Sequence, residues 1–443
     1  MNWLRRLAVD TTPLQVPAFK RLFLGTVVTV IGTQMTLVAV PVQAYLLTGS
    51  SLVVGLTSIV ALVPLVIFGL LGGAIADAMD RRVLLLITSS GAALTAIGLF
   101  LQSLLPGGGS LLLLWILVFL QSACFAVNAP TRSATIPALV GLARVPAANA
   151  LNMTITQAGI IGAPLIAGLL IGAGDLSLTY AVDAVGLLIA LPLLRGLPPL
   201  LPGGAGGVDG AGGEVGAGQR DRAGQSRINL VGAIRSVAEG FAFLRTQPVL
   251  LMTFVVDIIA MVFGFPRAVL PELAATTFAD SSNALGWLFA AMSIGAVVAG
   301  LLSGPVARVK RQGLVILVAI VVWGIAVALF GLTSSLFWAV FFLAMSGAAD
   351  MVSAVLRTSI LQSGAPDAMR GRMQGVFIVV VAGGPRLGDL RAGAMAAAVS
   401  IPATMVSGGL FIIAAMVVVA IVVPTFRRYR CEEGPGATET SSP

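Results

Sequence analysis

Twelve times along the chain an apolar run of about 20 residues is closed by a short polar or glycine-bearing break. The runs cover 22–47, 52–76, 83–105, 110–133, 147–172 and 177–197, then 248–275, 284–307, 314–332, 336–358, 373–398 and 403–426. A helix of that length crosses the ~30 Å hydrocarbon layer of a bilayer. Lipid offers the backbone no hydrogen-bond partner, so a single segment can cross it only as a helix that bonds to itself. The pattern therefore predicts an all-α integral membrane protein with twelve transmembrane helices.

Composition sharpens this picture. Hydrophobic residues form 58% of the 443, charged residues 10%, and the mean hydropathy is +1.02. A soluble domain carries roughly 25% charged residues, so this chain lacks the polar side chains to face water over its whole surface. The basic residues cluster in alternate loops. The intervening loops 48–51, 106–110, 173–176, 276–283, 333–335 and 399–402 contain no Lys or Arg. By the positive-inside rule both termini are cytoplasmic and the span count is even. Only Arg267, Arg386 and Arg391 break the pattern. Only Lys20 and Lys310 are lysines among the 26 basic residues, a bias of GC-rich bacterial genomes that predicts a bacterial plasma membrane. The net charge of +8 sits in loops that anionic headgroups attract, so it does not indicate nucleic acid.

Chemistry-bearing residues are few. His is absent, and Cys124 and Cys431 have neither metal-ligand nor redox spacing, so no metal and no cofactor is expected. No nucleophile–base constellation and no phosphate-binding loop is present, which argues against an enzyme and against ATP as the energy source. Arg5 and Arg6 are followed by no 7–15-residue apolar stretch with a cleavage site before the first span, so no signal peptide is expected.

Two halves are visible. The stretch GGAGGVDGAGGEVGAGQRDRAGQ cannot bury enough apolar surface to order itself and reads as a linker. Leu230 to Leu244 then has apolar residues at helical spacing around Arg235 and Glu239, the pattern of an amphipathic surface helix. The expected division is a six-helix bundle over 1–197, a linker with its helix over 198–246, and a second bundle with its tail over 247–443. Pro41 aligns with Pro271, Gly55 with Gly286 and Gly73 with Gly304 at an offset of about 230, and Arg132 with Arg357 and Gly168 with Gly393 at about 225. Such internal symmetry is the trace of a transporter built from repeats.

Between the second and third spans stands Gly73-Ala-Ile-Ala-Asp77-Ala-Met-Asp80-Arg81-Arg82. It resembles the loop motif G-x-L-A-D-R-x-G-R-[RK] of the major facilitator superfamily, with Ala78 and Asp80 as departures. The resemblance implies the major facilitator fold of two pseudo-symmetric six-helix bundles. It also implies a conformational latch in which Asp77 pairs with a helix end or Arg132, while Arg81 and Arg82 face headgroups. The aligned Arg357 would serve the second half. Pro17-Ala-Phe-Lys-Arg-Leu-Phe, Val40-Pro-Val-Gln, Thr135-Ile-Pro-Ala-Leu-Val-Gly and the run from Leu361 to Arg372 are most similar to the enterobactin-exporter-like group of efflux proteins. In the fifth span Gly159, Ala163, Pro164 and Gly168 resemble the antiporter motif G-x-x-x-G-P-x-x-G-G, with Ala at two Gly positions. Close packing of small residues is the plainer explanation of that stretch.

Ionisable groups inside a membrane are functional candidates because burying them costs about 2.5–3.5 kcal/mol on insertion scales. Asp257 lies nine residues beyond Pro248 with no cation at helical spacing. Desolvation then favours its protonated form, as a proton carrier requires. Asp183 in the sixth span is the second such candidate. Arg386 and Asp389 are spaced to pair within one helix, and Arg391 is a candidate contact for an anionic solute. Gln34 and Asn128 are candidates to line a polar cavity. Asp350 lies seven residues before Arg357, on one helical face, and is expected to pair with it. Arg267 is expected to snorkel to the interface.

These features converge on a monomeric, proton-coupled exporter of a small organic molecule such as a siderophore, natural product or drug, working among membrane lipids. A lipid or lysolipid flippase on the same fold is the competing expectation.

Overall fold

A computed structural model describes residues 10–200, 239–281, 283–302, 309–364 and 370–429. The glycine-rich linker and most of the expected amphipathic helix lie outside these residues; 239–246 are helical. Among the described residues there is no strand. Among the described residues twelve long helices follow one another: α1 (Pro17–Thr48), α2 (Ser51–Ala78), α3 (Arg81–Ser103), α4 (Leu111–Val140), α5 (Val145–Gly172) and α6 (Leu176–Arg195). They continue as α7 (Pro248–Gly264), α8 (Ala284–Leu301), α9 (Gln312–Leu332), α10 (Leu336–Gly364), α11 (Arg370–Ala398) and α12 (Ile401–Val422). Among the described residues eleven stretches are long and apolar enough to cross a membrane by length and composition; α7 is one of them only together with its continuation to Ala275, and α11 is not among them. In α11 the charges of Arg386, Asp389 and Arg391 lower the hydropathy, yet its 29 residues span roughly 43 Å.

The chain divides into two compact units: one of 1–235 with 280–290, the other of 236–279 with 291–443. The same helix pairings occur in each six-helix set. α1 packs on α5 and α6 as α7 packs on α11 and α12, and α3 packs on α4 and α6 as α9 packs on α10 and α12. The repeated landmarks in the sequence thus have a counterpart in repeated packing.

The long run 248–275 is not one helix. α7 stops at Gly264, Phe265 is extended (φ −94°, ψ 114°), and a 3-10 turn Arg267–Val269 leads into the short helix Leu270–Ala275. Pro266 is the cause, since a proline drives the residue before it out of the helical region. The break frees carbonyls that lipid cannot satisfy, and neighbouring helices supply the donors. Arg391 Nη1 donates to Phe263 O at 3.0 Å, and Trp323 Nε1 to Gly264 O at 3.4 Å.

Large apolar side chains also cover much of the outside. Leu94 is 71% exposed, Leu112 66% and Ile421 70%. In water such a surface would aggregate, whereas in a bilayer it faces acyl chains of like polarity. Interiors are closed by small residues. A Cβ on Gly295 of α8 would fall 1.7 Å from Ala344 O of α10, and one on Gly347 would fall 1.9 Å from Met292 O.

Candidate functional site

In the first unit, Asp183 of α6 is fully buried. Its Oδ2 accepts from Thr36 Oγ1 at 2.7 Å and Gln121 Nε2 at 3.1 Å, and its Oδ1 lies 3.4 Å from Thr33 Oγ1. Gly32 makes this possible: a Cβ there would sit 2.4 Å from the Asp183 Cα, so α1 and α6 meet at this level. The carboxyl is thus surrounded by neutral donors from α1 and α4. Thr33, Thr36 and Gln121 were not foreseen, although polar residues within apolar runs are the signal that marks them.

A second polar group lies on α4. Asn128 Nδ2 donates to Thr88 Oγ1 at 2.8 Å and Ser89 Oγ at 3.1 Å, and its Oδ1 accepts from Arg132 Nε at 3.4 Å. Arg132 Nη1 also donates to Thr26 Oγ1. Asn128 is therefore already engaged on both amide atoms. Gln34 is half-buried on α1, one residue from the Asp183 partner Thr33.

The arginines of the basic loop after α2, and Arg21 of α1, donate to carbonyls. Arg81 Nη1 donates to Ala134 O at 3.0 Å, Arg82 Nη2 to Arg195 O at 2.6 Å, and Arg21 to Gly196 O. Cations at helix C-terminal ends satisfy orphan carbonyls and favour the helix dipole. Asp80, the departure from the motif, caps α3 by accepting from Arg82 N at 2.8 Å and also accepts from Leu200 N at 3.1 Å. The side chains of Gly73 and Asp77 lie outside the described residues, and with them the expected Asp77–Arg132 pair.

In the second unit, Arg357 of α10 is paired with Asp257 of α7. It also reaches Asp350 Oδ1, 3.4 Å away. This corrects two expectations. Asp257 has a cation after all, supplied by another helix, and Arg357 occupies a buried ion-pair cluster instead of a loop latch. Asp257 and Arg357 side chains are 6% and 10% exposed, while Asp350 is 30% exposed. The trio borders a cavity of about 200 Å³ lined also by Thr253, Thr358 and Met261. The expected Asp350–Arg357 pairing is present.

Arg391 stands apart from that cavity. Its guanidinium lies over the Phe263 ring, 4.8 Å from the centroid, and Nη2 donates to Thr404 O at 3.3 Å. Gly408 leaves the space, since a Cβ there would lie 2.7 Å from Arg391 Nη1. Arg391 is thus a clamp between α7, α11 and α12. Arg386 Nη1 donates to Ala382 O at 2.7 Å, and Asp389 is buried one turn further on. Arg267 is exposed with its guanidinium 5.0 Å from the Phe265 ring centroid, as a snorkelling arginine would be.

In the antiporter-like stretch, Ala163, Pro164 and Gly168 are buried. Cβ atoms on Gly159 and Gly168 would meet Val30 Cγ1 at 2.4 Å and Gly286 Cα at 2.1 Å, whereas Gly162 has open space. Among the described residues no group of three His, Cys, Asp or Glu side chains is placed to hold a metal ion.

Long apolar helices in two repeated sets, with ionisable groups buried in both, define a multi-pass membrane protein among the described residues. The chain belongs to the Major Facilitator Superfamily, whose sequence profile matches residues 22–388. It is 28% identical over 441 residues to the enterobactin exporter EntS of Shigella boydii serotype 4, covering 100% of this chain and 99% of that one. Identity and coverage are the same for EntS of Escherichia coli O81. In fold it is similar to the nucleoside transporter NupG, with a TM-score of 0.68 at 16% identity over 93% of this chain and 100% of that one. A POT family transporter in complex with 5-aminolevulinic acid gives 0.67 at 13% identity, over 92% and 96%.

Proposed function

We propose that the protein exports a small organic molecule of the siderophore type from the cytoplasm of a bacterium, exchanging it for protons by alternating access. The observation that carries export is full-length similarity to enterobactin exporters at 28% identity. The proton reading rests on the cluster of Asp257, Arg357 and Asp350 beside a cavity. With both acids ionised the trio has one uncompensated negative charge, and one proton neutralises it. Protonation of Asp257 would leave Arg357 to Asp350, so that loading couples to a change of partner between α7 and α10. Asp183, held by neutral donors, is the second candidate carrier. A potential of 100 mV supplies ~2.3 kcal/mol per charge moved, which suits such an exchange. The protein acts as a monomer in this reading, with both termini cytoplasmic.

The test uses reconstituted proteoliposomes and a catecholate siderophore. An imposed pH gradient is expected to drive accumulation by the native protein. Asp257→Asn should abolish that accumulation and keep gradient-independent exchange. Unchanged gradient-driven transport by the variant would remove Asp257 from the coupling. In cells, deletion of the gene followed by mass spectrometry should show the chelator retained; normal secretion of every such chelator would reject the cargo class.

A further inference from the structure

A cluster of cations in the second unit has no part in the ion-pair cavity. At the end of the chain's described part, Val423 breaks α12 and the short helix Pro424–Arg427 folds back against the start of α9. The approach is close because α9 begins with glycine: a Cβ on Gly313 would fall 1.8 Å from Phe426 O. Phe426 is fully buried and anchors the turn. The consequence is electrostatic. Arg427 and Arg428 are brought beside Arg311, and the three guanidinium groups with Leu314 line an open hollow of about 520 Å³. All three arginines are exposed, and among the described residues no carboxylate pairs with any of them. Like charges gathered by a tight backbone contact repel one another unless an anion sits among them.

The surroundings select the anion. Immediately before the turn, the last turns of α12 present Val417, Val418, Ile421 and Val422, each at least half exposed. A phosphate in the hollow would therefore carry its acyl chains along an apolar helix face. Basic pockets at this level of a membrane protein suit anionic headgroups, and each Lys or Arg near the surface contributes roughly fivefold in affinity.

We infer that Arg311, Arg427 and Arg428 form a binding site for the phosphate group of an anionic phospholipid, built between α9 and the turn that ends α12. The site is independent of the proton-coupling cluster and of the cargo.

Native mass spectrometry of the full-length protein in detergent, titrated with phosphatidylglycerol, tests it. The Arg311→Gln/Arg427→Gln/Arg428→Gln variant is expected to bind this lipid at least tenfold more weakly. A charge-matched control, Lys20→Gln/Arg144→Gln/Arg245→Gln, should bind as the native protein does. Gly313→Ala changes no charge and should also weaken binding, because it separates the arginines. Thermal unfolding in phosphatidylcholine checks that each variant is folded; should the triple variant fail this check, Arg427→Gln/Arg428→Gln decides the matter. Equal losses in the triple variant and its control, or no loss in either, would reduce the effect to general surface charge and overturn the site. Displacement of the lipid by millimolar inorganic phosphate would assign the hollow to a free anion instead. A tenfold gain in lipid affinity for Glu432→Gln/Glu433→Gln would assign it to the chain's own acidic tail.

Discussion

Arg357 and Asp257 form an ion pair between α10 and α7 although a hundred residues separate them in the chain. Removing one partner of a buried pair typically costs about 3–5 kcal/mol, because the other charge is left uncompensated. Asp350, 3.4 Å from Arg357, softens the loss on one side only. Arg357→Gln strands two acids, whereas Asp257→Asn leaves Arg357 one. The expected order of thermal stability in detergent is therefore native, then Asp257→Asn, then Arg357→Gln. The double variant should be more stable than the sum of the two losses predicts. Additive losses would show that the two groups do not interact.

Arg391 is expected to matter for stability and not for affinity. Its guanidinium serves the carbonyls of Phe263 and Thr404 and lies over the Phe263 ring. A hydrogen bond from a charged donor contributes about 1.5–3 kcal/mol, and lipid offers no replacement. Arg391→Leu should lower the unfolding temperature while leaving the KM for an anionic solute unchanged. A raised KM at native stability would return Arg391 to the solute path.

What the sequence could and could not reveal follows from the range of each interaction. Spans were legible because hydropathy is a sum over neighbours, and α11 was legible as the run 373–398 even though its three charges lower that sum. The Asp350–Arg357 contact was legible because seven residues put both on one face of α10. The partner of Asp257 was not, because pairing between helices depends on which faces converge. For the same reason Arg391 read as a lone charge, while its partners are the Phe263 carbonyl beside the Pro266 break and the Thr404 carbonyl of α12. Carbonyl acceptors carry no mark in a sequence.

The antiporter-like stretch separates into two kinds of glycine. A methyl group at Gly159 would meet Val30, a stiff β-branched side chain, at 2.4 Å, whereas Gly162 has nothing within 4 Å. Overpacking costs about 1–3 kcal/mol, and Ala is favoured over Gly within a helix by roughly 1 kcal/mol. Gly159→Ala should thus lower the unfolding temperature and Gly162→Ala should hold or raise it. If Gly162→Ala abolishes transport in a stable protein, the motif has a function beyond packing.

Asp175 caps α6 outside the span, accepting from Leu178 N at 2.9 Å and Ser177 Oγ at 2.8 Å. The Ser177 hydroxyl and the Leu178 amide, in that order, hold its carboxyl below the usual value of 3.8. A depressed acid contributes stability above its unfolded pKa and loses it as the pH falls through the folded one. Asn caps equally well and does not titrate. The difference in unfolding temperature between the native protein and Asp175→Asn should therefore be constant from about pH 7 to 5 and move against the native protein below ~3.8. A difference independent of pH would mean that the cap does not form.

The fit of Gly32 against Asp183 joins packing to the proposed chemistry. An added Cβ would press on the Asp183 backbone at 2.4 Å as well as on its Oδ1 at 2.8 Å, so α1 and α6 must separate. Separation draws Asp183 away from Thr36 and Thr33, both on α1, and leaves Gln121 of α4 as its partner. Gly32→Ala is therefore expected to cost stability, about 1–3 kcal/mol, and to weaken proton-driven transport. Thr36→Val removes one donor to Asp183 without touching the helix contact, and leaving a buried acceptor short costs about 1–3 kcal/mol. If Asp183 carries a proton, Thr36→Val should shift the pH profile of transport while Gly32→Ala lowers its amplitude. A common loss of amplitude with no shift in either variant would make the group around Asp183 a packing feature and leave coupling to the Asp257 cluster alone.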